Sequence, residues 1–113
     1  LLGAAKLGDI GSNFPDTSDE YKNIDSKILL ERSCQLLKDR GWKVVNVDAT
    51  LALQQPKVRP YIAEMETVMA RIMDIEPGQV SVKATTTENL GFEGRREGVT
   101  AYAVVLLAGA EGC

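Results

Sequence analysis

The residues best suited to chemistry in this chain run from Val80 to Gly98, VSVKATTTENLGFEGRREG. Val80, Val82 and Ala84 alternate with Ser81 and Lys83, which predicts a strand with one apolar face. The strand then meets Thr85, Thr86, Thr87 and Glu88, followed by Gly91, Phe92, Gly94, Arg95, Arg96 and Gly98. Hydroxyls, arginines and glycines at the end of a strand suit an anion: backbone N–H groups turn towards one phosphate, hydroxyls donate beside them, and glycine allows close approach. The same residues also suit a plain polar loop with Thr85-x-x-Glu88 as a capping box. Asp9-Ile10-Gly11 and Phe14-Pro15-Asp16-Thr17 place two acids among glycines and an aromatic. They can hold the hydroxyls of a polyol, or serve only as Asx-turn residues. Lys57, after Pro56, can present a charge to a phosphate or stay solvated. No histidine is present, so the commonest general base and the commonest zinc ligand are both missing from these residues.

The elements that must position these residues follow from periodicity. Leu1 to Leu7 reads as the second half of a helix ended by Gly8, with no cap at its start. Asp25 or Ser26 caps a helix to about Arg40, with Leu30, Cys34 and Leu37 on its apolar face and Gly41 as its left-handed end. Cys34 is expected as a core residue. Trp42 to Leu53 reads as a strand in which Val45, Val47, Ala49, Leu51 and Leu53 oppose Val44, Asn46, Asp48, Thr50 and Ala52. Pro60 starts a helix to about Met73 along Ile62, Met65, Met69 and Ile72, and Glu76-Pro77-Gly78 stops it. Val99 to Leu107 forms a last strand, apolar enough for burial on both faces or at an oligomer axis. Residues 108–113 read as a flexible tail. The order predicts an α/β (α+β) domain: a mixed sheet, a strand–helix–strand crossover, and helices packed on one side.

A length of 113 residues with 44% hydrophobic and 26% charged residues predicts one soluble domain. The net charge of −3 argues against a general nucleic-acid or membrane-surface binder. Cys34 and Cys113 do not form a disulfide framework, which favours a reducing compartment.

Taken in register, LLGAAKLGDIG, FPDT, NVDAT, QQPK and KATTTENLGF-x-GR-x-EG resemble the 2-C-methyl-D-erythritol 2,4-cyclodiphosphate synthase family over about residues 1 to 107. The resemblance implies a homotrimeric lyase of non-mevalonate isoprenoid biosynthesis. Its substrate is a diphosphocytidyl-methylerythritol 2-phosphate, whose own 2-phosphate attacks the β-phosphorus and releases CMP. It implies that Asp9, Ile10, Gly11, Phe14 and Asp16 hold the methylerythritol phosphate end. The 53–59 loop, Lys57 foremost, lines the cytidine and diphosphate pocket. Ala84, Thr85, Thr86 and Thr87 hold cytosine and phosphates, with the Thr86 hydroxyl beside the reacting groups. Glu88 ligates magnesium or manganese, and Phe92 and Arg95 lie near the ligand.

Two departures stand out. The family's zinc ligands, an Asp and two His, lie upstream of Leu1, so residues 1–113 alone are expected to be an N-terminally incomplete, inactive domain. Arg96 also replaces a glycine of the family's G-R-G-E-G. The expected location is a bacterial cytoplasm, a plastid parent being compatible too. A competing reading is a non-catalytic oligomeric or nucleotide-binding scaffold that keeps the fold.

Overall fold

Lys6 gives the chain its first structural boundary. Its N–H donates to Gly3 O at 3.1 Å, Leu7 N–H donates to Leu2 O at 2.9 Å, and Lys6 itself is left-handed at φ +56°. This paired pattern is the Schellman closure that ends helices. The expected helix over Leu1–Leu7 is therefore a hydrogen-bonded turn, closed at Lys6 and not at Gly8. The structure is a computed structural model, described here over residues 1–15, 20, 24–55 and 57–109. Cα packing divides the chain into two compact units, residues 1–45 with 105–113 and residues 46–104.

In the first unit, Asp9 caps a four-residue helix, α1 (Ile10–Asn13), where the sequence suggested only a loop. The next helix, α2 (Ser26–Asp39), begins at Asp25, whose carboxylate accepts Lys27 N–H at 2.8 Å. Gly41, at φ +80°, takes the left-handed position at its end, as expected. Burial on α2 centres on Ser33 and Leu37, with Leu29, Leu30, Cys34 and Leu36 half-buried. Cys34 thus flanks the core instead of sitting in it. Partial burial still pushes its thiol pKa up, which keeps it protonated and unreactive.

Strand β1 (Trp42–Ala52) leads through a 3-10 turn at Arg59–Tyr61 into α3 (Ile62–Met73). Pro60 lies in the first turn of the 3-10 segment, where a missing N–H costs nothing. The helix ends at Asp74, left-handed at φ +59°, with Ile75 N–H donating to Ala70 O at 2.9 Å. Glu76-Pro77-Gly78 comes later and forms a separate capped 3-10 turn. Burial on α3 centres on Ala70 and Met73, with Ile62, Met65, Met69 and Ile72 half-buried.

Strand β2 (Val80–Thr85) pairs parallel with β1, Val47 opposite Val80 and Ala52 opposite Thr85. Val47, Ala49 and Leu51 thereby share a face with Val80, Val82 and Ala84, while Asp48 and Thr50 share the other with Ser81 and Lys83. An ion pair between Lys83 and Asp48 crosses that second face. Val44, assigned by alternation to the polar face, is buried. It lies in the first unit and Asp48 in the second. A short helix, α4 (Gly91–Gly94), precedes β3 (Thr100–Gly109), which completes a mixed sheet in the order β2-β1-β3. The class is α+β, as the pattern predicted.

Strand β3 departs from expectation in two ways. It extends through Ala108 and Gly109, residues assigned to a tail, and residues 110–113 lie outside the described residues. Of the two expectations, burial on both faces or at an oligomer axis, the single chain does not meet the first: Val104 is 73% exposed and Tyr102 62%.

Candidate functional site

Parallel strands expose a crevice at their carboxyl ends, and β1 and β2 end side by side at Ala52 and Thr85. Leu53 N–H continues the ladder to Thr85 O at 3.0 Å. Just beyond lies a cavity of about 770 Å³, lined by Leu53, Gln54, Lys57, Val58, Arg59, Pro60, Ala84, Thr85 and Thr86. This is the size range of small-ligand sites. Leu53 is buried and Ala84 half-buried, so the lining has an apolar part. Lys57 and Arg59 bring two cations, and no carboxylate is among the described residues of the lining. Neither cation forms an ion pair among the described residues. Gln54 Oε1 is buried with no hydrogen-bond partner among them. Neither the 3-10 turn at Arg59 nor α3 has a side-chain N-cap; Tyr61 N–H donates to Val58 O at 2.8 Å instead.

The three threonines differ in what their hydroxyl protons do. Thr85 Oγ1 donates to Thr86 O at 3.2 Å, and Thr87 Oγ1 donates to Leu90 O. Thr86 Oγ1 instead accepts Glu88 N–H at 3.4 Å. Its own proton is not committed by these bonds, and of the two threonines in the cavity lining it is the one free to donate.

The chain leaves the cavity through a tight turn. Glu88 and Asn89 are both left-handed, φ +56° and +64°, and Leu90 N–H donates to Thr87 O at 3.0 Å, a type I′ pattern. Gly94 lets this turn settle on α4: a Cβ there would lie 2.2 Å from the Asn89 carbonyl carbon. The turn holds Glu88 exposed, with no ion pair among the described residues. Arg95 pairs with Glu97 at 2.9 Å, and Phe92 packs its ring against Gly98. Thr87, Glu88, Phe92 and Arg95 are outside the cavity lining, so only Lys57, Ala84, Thr85 and Thr86 of the expected ligand residues meet there. Arg96 is left-handed at φ +63° and closes α4 in a Schellman pattern, Arg96 N–H to Glu93 O at 3.1 Å and Glu97 N–H to Phe92 O at 2.8 Å. A glycine would take this position without steric cost.

Asp9, Ile10, Gly11 and Phe14 belong to the first unit. Asp9 Oδ1 accepts Ser12 N–H at 2.8 Å, and Ser12 Oγ reciprocates at the Asp9 backbone, a capping box that sequence inspection did not find. The Ser12 hydrogen bonds hold the Asp9 carboxyl below the usual range. Asp16 lies outside the described residues. Arg59 was part of the 53–59 loop but not singled out, although a second cation two residues after Lys57 was the available signal.

Zinc does not fit these residues. The chain has no histidine, and no group of three His, Cys, Asp or Glu among the described residues is placed to hold a metal ion. A magnesium-like ion fits Glu88 better, because such ions take one or two carboxylates and complete their shell with phosphate oxygens and water.

Residues 1–108 match the YgbB family. A protein of Phocaeicola vulgatus named 2-C-methyl-D-erythritol 2,4-cyclodiphosphate synthase is 57% identical over 111 residues, 98% of this chain and 69% of its own. A Parabacteroides distasonis protein of the same name is 53% identical, over 95% of this chain and 66% of its own. The chain thus spans about two thirds of the length of these relatives. Among solved structures, the bifunctional IspDF from Campylobacter jejuni superposes with a TM-score of 0.89 at 40% identity, over 94% of this chain and 29% of that one. A Plasmodium falciparum IspF solved as a CDP complex superposes at 0.83 with 29% identity, over 96% of this chain and 64% of its own.

Proposed function

This chain belongs to the YgbB family, that of the 2-C-methyl-D-erythritol 2,4-cyclodiphosphate synthases, and on that footing we propose that the protein is a phosphorus–oxygen lyase of non-mevalonate isoprenoid biosynthesis. The substrate is 4-diphosphocytidyl-2-C-methyl-D-erythritol 2-phosphate. An oxygen of its 2-phosphate bonds to the β-phosphorus. The bond from that phosphorus to the bridging oxygen breaks, and CMP leaves with the oxygen. The products are CMP and 2-C-methyl-D-erythritol 2,4-cyclodiphosphate, and no protein nucleophile is consumed.

The observation that carries this reading is the cavity at the carboxyl ends of β1 and β2, where Lys57, Arg59 and the Thr86 hydroxyl meet with no acid among the described lining residues. Lys57 offsets charge on the diphosphate. Thr86 donates its hydroxyl proton to a phosphate oxygen as charge develops there, and Thr85 and Thr87 shape the backbone on either side. Leu53 and Ala84 supply an apolar surface for the cytosine. Positioning of the attacking and leaving oxygens in line supplies much of the rate. Glu88 would hold a magnesium or manganese ion, which would supply charge neutralisation on the diphosphate. Asp9, Ile10, Gly11, Phe14 and Asp16 take the methylerythritol phosphate end, and Phe92 and Arg95 flank the ligand. The protein works as a homotrimer, for which the exposed apolar β3 is the support, and in a bacterial cytoplasm, for which its bacterial relatives are the support.

The test is CMP release from the diphosphocytidyl substrate by the natural full-length protein, with zinc and magnesium added. CMP and the cyclic diphosphate should form in equal amounts. A folded, metal-loaded protein that releases no CMP sinks the assignment.

A further inference from the structure

We propose that Arg59 is a second phosphate-binding cation of the cavity at the ends of β1 and β2, and that it sets a preference for a nucleoside diphosphate over a nucleoside monophosphate. The proposal rests on the nucleotide reading above and adds a residue that neither the sequence motifs nor the comparisons single out.

Arg59 and Lys57 line the same cavity, two residues apart in the chain. Both side chains are exposed, and no acid is among the described residues that line the cavity with them. Carboxylates are plentiful in a chain of net charge −3, with 16 acids against 13 basic residues, yet none forms an ion pair with either cation among the described residues. Two like charges held beside one cavity repel until an anion enters between them. A monophosphate offers one cluster of oxygens, which Lys57 satisfies as a point charge. A diphosphate adds a second cluster and another negative charge. Arginine suits that second cluster, because its planar fork donates two parallel N–H bonds to one phosphate.

The experiment is isothermal calorimetry of the natural full-length protein with CDP and with CMP at low and moderate salt, for the unaltered protein, Arg59→Gln and Arg59→Lys. Arg59→Gln should weaken CDP binding about tenfold and CMP binding much less. Arg59→Lys should recover part of the CDP affinity, because it keeps the charge and loses the fork. The CDP affinity of Arg59→Gln should also depend less on salt. Unchanged melting temperatures would establish that the exposed substitution leaves the fold intact. Equal losses for CDP and CMP, or no loss for either, overturn the proposal while leaving the nucleotide pocket standing. An unaltered protein that binds neither nucleotide overturns the pocket reading and this proposal with it.

Discussion

Strands β2 and β3 occupy the two edges of one sheet and are finished in opposite ways. Two of the outward-pointing amides of β2 have partners in the chain: Val80 N–H donates to Pro77 O, and Val82 N–H donates to Glu66 Oε2 at 2.8 Å. Thr85 O is turned inward to Leu53 N–H, so Val80, Val82 and Ala84, on alternate positions, are turned outward. A helix carboxylate on an edge amide blunts the edge against pairing with another chain. Strand β3 has the opposite character. It is 10 residues long, against 6 for β2, and Tyr102, Val104 and Leu106 are more than half exposed. The difference teaches that the edge beside the cavity is partly capped from within the chain, whereas β3 keeps apolar side chains exposed. Long exposed apolar edges invite association, and proteins that leave one open ordinarily use it.

Four substitutions break or sharpen this contrast. The largest effect is expected from Val104→Asp. A charge among the exposed apolar side chains of β3 should abolish self-association, read as a drop to monomer mass by light scattering. A variant that keeps the oligomeric mass of the unaltered protein would remove β3 from the association surface. Next is Gly94→Ala. The added methyl meets the Asn89 backbone, so the turn carrying Glu88 has to move. Overpacking of this kind costs about 1–3 kcal/mol, and CMP release should fall along with thermal stability. Glu66→Ala leaves the Val82 amide without its charged acceptor, at a cost of about 1–3 kcal/mol. Its melting temperature should drop and its tendency to aggregate rise, while Glu66→Gln, which keeps a carbonyl acceptor, should recover much of both. The smallest effect is a gain. Arg96→Gly removes a side chain from a left-handed position and should stabilise the protein by about 1 kcal/mol in chemical denaturation. Loss of stability in that variant would mean that the Arg96 side chain makes a contact worth more than its strain.

Helix ends show where sequence reading works and where it stops. Gly41 announced the end of α2, because glycine is the residue that takes a left-handed backbone at no steric cost. The turn at residues 1–7, α3 and α4 close in the same way at Lys6, Asp74 and Arg96, none of which signals it. There the hydrogen bonds of the closure, and not the residue type, impose the conformation. The sequence reading therefore placed the first of these ends too late, at Gly8, and, while it ended α3 correctly at about Met73, it credited the stop to Glu76-Pro77-Gly78 instead of to the closure at Asp74.

The sequence by itself determined the class of fold, the parallel pairing implied by strand–helix–strand, the faces of β2, and the family. These follow from local periodicity and from motifs in register, which are properties of residue order alone. It also placed Lys57, Ala84, Thr85 and Thr86 together, through motifs that flank the ends of two strands. Only the tertiary structure decided which threonine keeps a free proton, because Thr85, Thr86 and Thr87 are identical as letters and differ only in their acceptors. It alone brought Arg59 beside Lys57 in one cavity lining, and gave Arg95 to Glu97. It also left β3 exposed, since burial of a strand depends on what lies next to it in space and not on its own apolar content.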